Sequence, residues 1–209
     1  MALAGATGLV GRAILEGLLA DDSVATVHAL GRREPGVIHP KLDARVVDFK
    51  KLPPLPPLDE VYLALGTTIK DAGSRTAFRA VDFDANLAVA RAALTAGARR
   101  AGLVSAMGAD AKSRIFYNRV KGETEDALSQ LAFGGLVVAR PSLLVGDRAA
   151  LGQHARLGER IATALSKLLG PLIPANYRPV AASNVARALL ARVPAARGRV
   201  VLLSGEMQG

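Results

Sequence analysis

Two side chains four residues apart in this sequence are suited to proton transfer. In Phe116-Tyr117-Asn118-Arg119-Val120-Lys121-Gly122-Glu123, helical spacing puts the Tyr117 phenol and the Lys121 ammonium on one face of a helix predicted to run to about residue 131. An ammonium beside a phenol stabilises the phenolate and brings the hydroxyl toward the range useful for acid–base work. Tyr-x-x-x-Lys alone is a common accident. Ser105 makes it less so: it lies twelve residues before Tyr117, at the end of the apolar run Ala101-Gly102-Leu103-Val104, which reads as a strand.

A second set of residues is suited to holding a phosphate. Gly5-Ala6-Thr7-Gly8-Leu9-Val10-Gly11 follows a very short apolar run and leads into Arg12-Ala13-Ile14-Leu15, so it reads as strand, turn and helix with the free N–H groups of the helix aimed at the turn. Gly5 permits the tight turn, Gly8 lets a pyrophosphate touch backbone, and Gly11 lets the helix lie close to the strand. The spacing G-x-x-G-x-x-G is a weak signal by itself, and an ordinary glycine turn would look the same. Its context strengthens it, because the β-branched run Val24-Ala25-Thr26-Val27 completes a strand–helix–strand unit. Gly5, Thr7, Gly8, Leu9, Val10 and Gly11 are the candidate phosphate contacts.

About twenty residues beyond Gly11, the second strand, Val24 to Leu30, ends in Gly31-Arg32-Arg33. An NAD-preferring fold places a carboxylate there to hold the ribose 2′-hydroxyl. A guanidinium cannot accept those hydrogen bonds but can grip a 2′-phosphate, so NADP(H) is expected in preference to NAD(H), with an exposed surface arginine pair as the alternative. A short third strand, Arg45 to Val47, ends at Asp48 and Phe49, near the expected adenine; a simple strand-end aspartate is the other reading. A fourth strand, Val61 to Leu65, breaks at Gly66-Thr67-Thr68. Leu65, Gly66 and Thr67 thereby join the expected cofactor edge.

These groups need a scaffold that brings strand ends together. The strand–helix alternation continues with a helix over about 77–96, strands at Ala101–Val104 and Leu136–Ala139, a helix over Asn184–Val193 and a last strand at Val200–Leu203. The predicted fold class is α/β, a Rossmann-type doubly wound parallel sheet with helices on both faces. Its 209 residues suit a single domain: a core over about 1–142 plus the last strand at about 199–204, with small substrate-cap elements over about 143–180. Leu157, Ile161, Leu165 and Leu168 would form one apolar helical stripe in that cap, and Tyr177 and Arg178 a loop beside the pocket. Pro53-Pro54-Leu55-Pro56-Pro57 reads as a stiff connection or an SH3-type ligand.

Composition excludes several classes. Half of the residues are hydrophobic, yet no apolar run approaches the roughly 20 residues of a membrane-spanning helix, and nothing at the start resembles a signal peptide. There is no cysteine, which excludes disulfides and suits a reducing compartment; a cytoplasmic protein is expected. The net charge is +9, but aromatics make up only 4% and the arginines are scattered, so nucleic acid is not the expected partner. His28, His39 and His154 have neither metal-ligand spacing nor acidic neighbours in sequence and read as structural or surface residues; no metal site is expected.

Taken together, Gly5-x-x-Gly8-x-x-Gly11, Ser105, Tyr117-x-x-x-Lys121 and Arg140-Pro141-Ser142 resemble the short-chain dehydrogenase/reductases in order and approximate spacing. More narrowly, Leu65 to Ser74, Phe78 to Asp84, Val104 to Asp110 and Phe116 to Glu123 resemble the atypical, epimerase/dehydratase-like subgroup that includes Tat-interacting-protein-like oxidoreductases. The resemblance implies that Ser105 holds the substrate oxygen, that Tyr117 transfers a proton to it, and that Lys121 holds the nicotinamide ribose and assists Tyr117. It also implies backbone contacts from Pro141 and Ser142 to the nicotinamide carboxamide, although a proline that merely ends a strand explains Pro141 equally well. One departure is Asp82, at the helix position where many members place an asparagine of a proton relay. The expected function is NADP(H)-dependent oxidation or reduction of a small carbonyl or alcohol by a monomer or homodimer. The alternative is a catalytically silent NADP(H)-binding regulator that acts through a protein partner.

Overall fold

A computed structural model of the chain describes residues 1–146 and 174–208. Its centre is a seven-stranded, all-parallel sheet in the order β3-β2-β1-β4-β5-β6-β9. The strands are β1 (Ala2–Ala4), β2 (Val27–Gly31), β3 (Leu42–Val46), β4 (Glu60–Leu63), β5 (Arg100–Val104), β6 (Gly135–Arg140) and β9 (Gly198–Leu203). A separate parallel pair joins β7 (Leu144–Val145) to β8 (Val180–Ala181). Strands covered on both faces can be apolar throughout, and β1 and β4 are: every residue of each is buried.

One face of the sheet is covered by α1 (Leu9–Ala20) and by α6 (Ala182–Arg192), whose Val185 and Leu189 pack with Ile14, Leu15 and Leu18. The other face carries α4 (Asn86–Thr95) and α5 (Phe116–Ser129), with Val89, Ala90, Ala93 and Leu128 in a second core against Leu63 and Leu103. The fold is therefore the expected Rossmann-like, doubly wound sheet. No described helix is long and apolar enough to cross a membrane. The stripe Leu157, Ile161, Leu165 and Leu168, together with His154, lies outside the described residues.

Three local expectations change. The helix expected over about 77–96 is three pieces: α3 (Arg75–Arg79), a π-helical turn over Ala80–Ala85, and α4. Apolar periodicity cannot reveal this, because a π turn keeps the chain helical while adding a residue to one turn. A short α2 (Ile69–Ala72) precedes α3, and the two are capped by the hydroxyls of Thr68 and Ser74. Strand β2 starts at Val27 because Val24 donates its N–H to Asp21 in a turn. His28, read as lacking an acidic partner, has one: parallel pairing of β2 with β3 sets it opposite Asp43, and Nδ1 lies 2.8 Å from the carboxylate.

Candidate active site

Because all seven strands run the same way, their C-terminal ends share one edge of the sheet. The chain steps outward from β1 through β2 to β3, then returns to β4 on the other side of β1. The crevice above such a switch point is where open α/β sheets take ligands. The glycine turn leaves β1 there, and Leu65-Gly66-Thr67 leaves β4 beside it.

The three glycines of the turn do different work. Gly5 has φ +94°, and a Cβ on it would lie 2.4 Å from the Ala64 carbonyl oxygen; a Cβ on Gly11 would lie 2.0 Å from that of Gly5. Those two hold helix and strands together. A Cβ on Gly8 would meet only the Gly5 oxygen, at 3.4 Å, so its surroundings are open. Gly8 caps α1 without a side-chain hydrogen bond, and the first turn has no acidic residue. The opening N–H groups, which the helix cannot satisfy itself, therefore face a concavity free of competing charge.

Beyond β2, Arg32 and Arg33 are exposed. The loop that follows them is tied to α1 by Arg12, whose Nη1 donates to the Pro35 carbonyl at 2.8 Å. Arg12 was missed in the sequence because it reads as an ordinary helical surface residue. Asp48 is exposed and uses one carboxylate oxygen on the Lys50 N–H, while Phe49 and Leu65 pack against the second core.

Helix α5 carries the proton-transfer candidates. Tyr117, Lys121 and Glu125 recur every four residues and so share a face. The Tyr117 ring packs against Phe78, with centroids 5.5 Å apart, and its hydroxyl makes no hydrogen bond among the described residues. Lys121 and Asp82 are both buried, with Nζ 2.7 Å from Oδ1. The other carboxylate oxygen of Asp82 accepts from the Thr67 N–H at 2.9 Å. Burial pushes the Lys121 ammonium down, but Asp82, Tyr117 and Glu125 together outweigh it and hold its pKa above the usual lysine value.

Ser105 is placed differently from what the resemblance implies. It ends β5 at the correct edge but is buried, and its hydroxyl donates to Glu125. That proton is committed inward, so Ser105 does not offer the donor expected to hold a substrate oxygen. The Glu125 carboxylate, fully buried, also receives Arg140 Nη2 at 2.6 Å and Arg199 Nη2 at 2.9 Å. The hydrogen bond from Arg140 to Glu125 raises the arginine's already high pKa. Glu125 was missed in the sequence, although its position four residues after Lys121 was the signal; its arginines come from β6 and β9 and have no local signature. Pro141 and Ser142 follow β6 at the same edge. The Pro141 carbonyl accepts from Met107, and Ser142 donates to the Arg178 carbonyl.

Gly122 explains how the Ser105 loop lies so close to α5: a Cβ there would be 2.1 Å from the Ala111 nitrogen. Among the described residues no cluster of His, Cys, Asp and Glu could hold a metal ion.

No family model matches the chain. Among solved structures, MoeE5 in complex with UDP-glucose and NAD superposes with a TM-score of 0.71 at 18% identity, covering 96% of this chain and 74% of that one. A short-chain dehydrogenase/reductase superfamily protein of Agrobacterium tumefaciens with bound NAD gives 0.70 at 17%, with 97% and 76% covered. A short-chain dehydrogenase/reductase family oxidoreductase of Burkholderia thailandensis gives 0.67 at 18%, with 100% and 92% covered. The fold is that of the short-chain dehydrogenase/reductases. In sequence the chain is 34% identical over 180 residues to the mitochondrial protein fmp52 of Emericella nidulans, covering 81% of this chain and 76% of that protein. It is 38% identical over 172 residues to mitochondrial FMP52 of Eremothecium gossypii, with 79% and 74% covered. The cytoplasmic expectation is corrected by these relatives, whose names point to the mitochondrion; lack of cysteine marks a reducing environment and does not separate one such compartment from another. Matched at this level across most of its length, the chain belongs to the FMP52 family.

Proposed function

We propose that this protein is an NADP(H)-dependent oxidoreductase of the short-chain dehydrogenase/reductase type, acting on a small carbonyl or alcohol. One observation carries the reading: Tyr117 and a buried, protonated Lys121 stand on one helical face at the sheet edge that also bears the open Gly8 turn. The residues fit a dinucleotide. Gly8 and the opening N–H groups of α1 would hold the pyrophosphate, Arg32 and Arg33 a 2′-phosphate, Asp48 and Phe49 the adenine side, and Lys121 the nicotinamide ribose. Leu65, Gly66 and Thr67 would line the crevice, and Pro141 and Ser142 would face the carboxamide. The cofactor would supply the hydride. Tyr117, with a hydroxyl not engaged by other described residues, would give a proton to the substrate oxygen or take one from it. Residues from about 143 to 180 would close the pocket as a small cap on the single domain.

A second reading has support of its own. Ser105 is committed to Glu125 and Lys121 to Asp82, as in a protein that binds NADP(H) to sense it and acts through a protein partner. Turnover separates the two. Purified protein is expected to oxidise NADPH with at least one member of a panel of small aldehydes and ketones. Tight NADPH binding with no turnover on any of them would favour the regulator, and no binding would reject both.

A further inference from the structure

We propose that Asp82 is a positioning residue for the cofactor: its carboxylate holds the Lys121 ammonium and the Thr67 N–H together, so that cation and loop are set before a dinucleotide arrives. The inference rests on the reading above, in which Lys121 holds the nicotinamide ribose.

The two oxygens of Asp82 serve two elements. Oδ1 lies 2.7 Å from Lys121 Nζ on α5, and Oδ2 accepts from Thr67 at 2.9 Å in the loop after β4. Gly66 lies across the pair, since a Cβ on it would be 3.6 Å from Asp82 Oδ1 and 3.8 Å from Lys121 Nζ. The Asp82 peptide carbonyl is occupied elsewhere, accepting from Asn86 Nδ2 at 2.9 Å and Thr124 Oγ1 at 3.2 Å. The side chain, not the main chain, therefore meets the lysine. An asparagine could not reproduce this, because Lys121 and Thr67 both present donors. An amide has one acceptor oxygen, and its NH₂ would face whichever donor was left. A carboxylate accepts from both.

The charged and titratable groups facing Lys121 are Asp82 from the π turn and, on its own helix, Tyr117 and Glu125. Glu125 is shared by Arg140 from β6 and Arg199 from β9, so Asp82 is the counter-ion left to the lysine among the described residues. Without that charge, a buried ammonium gives up its proton at a lower pH.

The test is Asp82→Asn in the full chain, with NADPH and NADH affinities measured by titration calorimetry from neutral to alkaline pH, and melting curves to confirm folding. Both cofactors should weaken equally, by roughly 10- to 100-fold, as expected for a lost charged hydrogen bond. The alkaline fall in affinity should begin at a lower pH than in the wild type. In a Lys121→Met background the same substitution should change neither affinity nor profile. Asp82→Glu keeps the charge but displaces it, so it should weaken binding while leaving the alkaline limb in place; it also serves if Asp82→Asn fails to fold. Unchanged affinity and profile in a folded variant would overturn the inference, as would an equal loss with and without Lys121. If wild type bound neither dinucleotide, the reading of the site itself would fail, and this inference with it.

Discussion

At the start of α1 the polar groups belong to the main chain and are left over; on α5 they belong to side chains and most are already engaged. Around Gly8 the structure keeps space open, and nothing acidic or hydrogen-bonded competes with an incoming anion. Around Lys121 and Glu125 each charge meets a counter-charge within the fold, and of the residues on that face only the Tyr117 hydroxyl is left without a described hydrogen bond. Backbone donors can be left over at a helix start because water satisfies them at little cost. Buried charges cannot be left over, because an unpaired one costs several kcal/mol. A binding surface can thus be built by omission, whereas a catalytic one has to be built by compensation.

Four substitutions test how far that contrast goes. The largest effect is expected at Tyr117. Tyr117→Phe removes one oxygen and keeps the ring against Phe78, so melting temperature and NADPH affinity should hardly move. Single-turnover NADPH oxidation should fall by about 10² to 10⁴, the usual weight of a positioned proton donor; equal rates would remove Tyr117 from the chemistry. Next is Glu125→Ala, which strands two arginines. Denaturant titration should show a loss of about 3–5 kcal/mol, the cost of breaking a buried ion pair from one side, and Glu125→Gln a smaller one. A loss below about 1 kcal/mol would mean that solvent reaches the cluster.

On the binding side, Gly8→Val should abolish measurable NADPH binding while stability stays within about 0.5 kcal/mol, as for a substitution into open space. Gly11→Val, whose Cβ would strike the Gly5 carbonyl, should fail to fold. Equal destabilisation by the two would mean that the turn is only structural. The smallest effect belongs to Arg32→Ala: NADPH should weaken roughly 10- to 100-fold and NADH hardly at all. A uniform loss for both cofactors would take the 2′-phosphate away from this arginine.

The same contrast governs what could be read from the chain alone. Glycine spacing, apolar runs and the four-residue step from Tyr117 to Lys121 are local patterns, and they placed the sheet, its order of elements and the catalytic helix. Compensation is not local. Glu125 meets Arg199 through a strand 74 positions away, and Asp82 meets Thr67 and Lys121 from two further elements. Asp82 was visible only as a departure from a resemblance, and Ser105 was assigned a donor role because its partner could not be seen. His28 shows the same on a small scale: parallel pairing, which no window of sequence reveals, supplied its aspartate.

The π turn over Ala80–Ala85 fixes an angular phase. One residue of an α-helix corresponds to about 100° of rotation, so removing a single residue between 80 and 85 would turn everything after it by that amount about the helix axis. Val89, Ala90 and Ala93 would swing off the sheet, and Asn86 would leave the Asp82 and Leu65 carbonyls it bridges. This segment can therefore exchange side chains during divergence, but it cannot readily change length: the residue count between α3 and α4 is itself part of what aims Asp82 at Lys121.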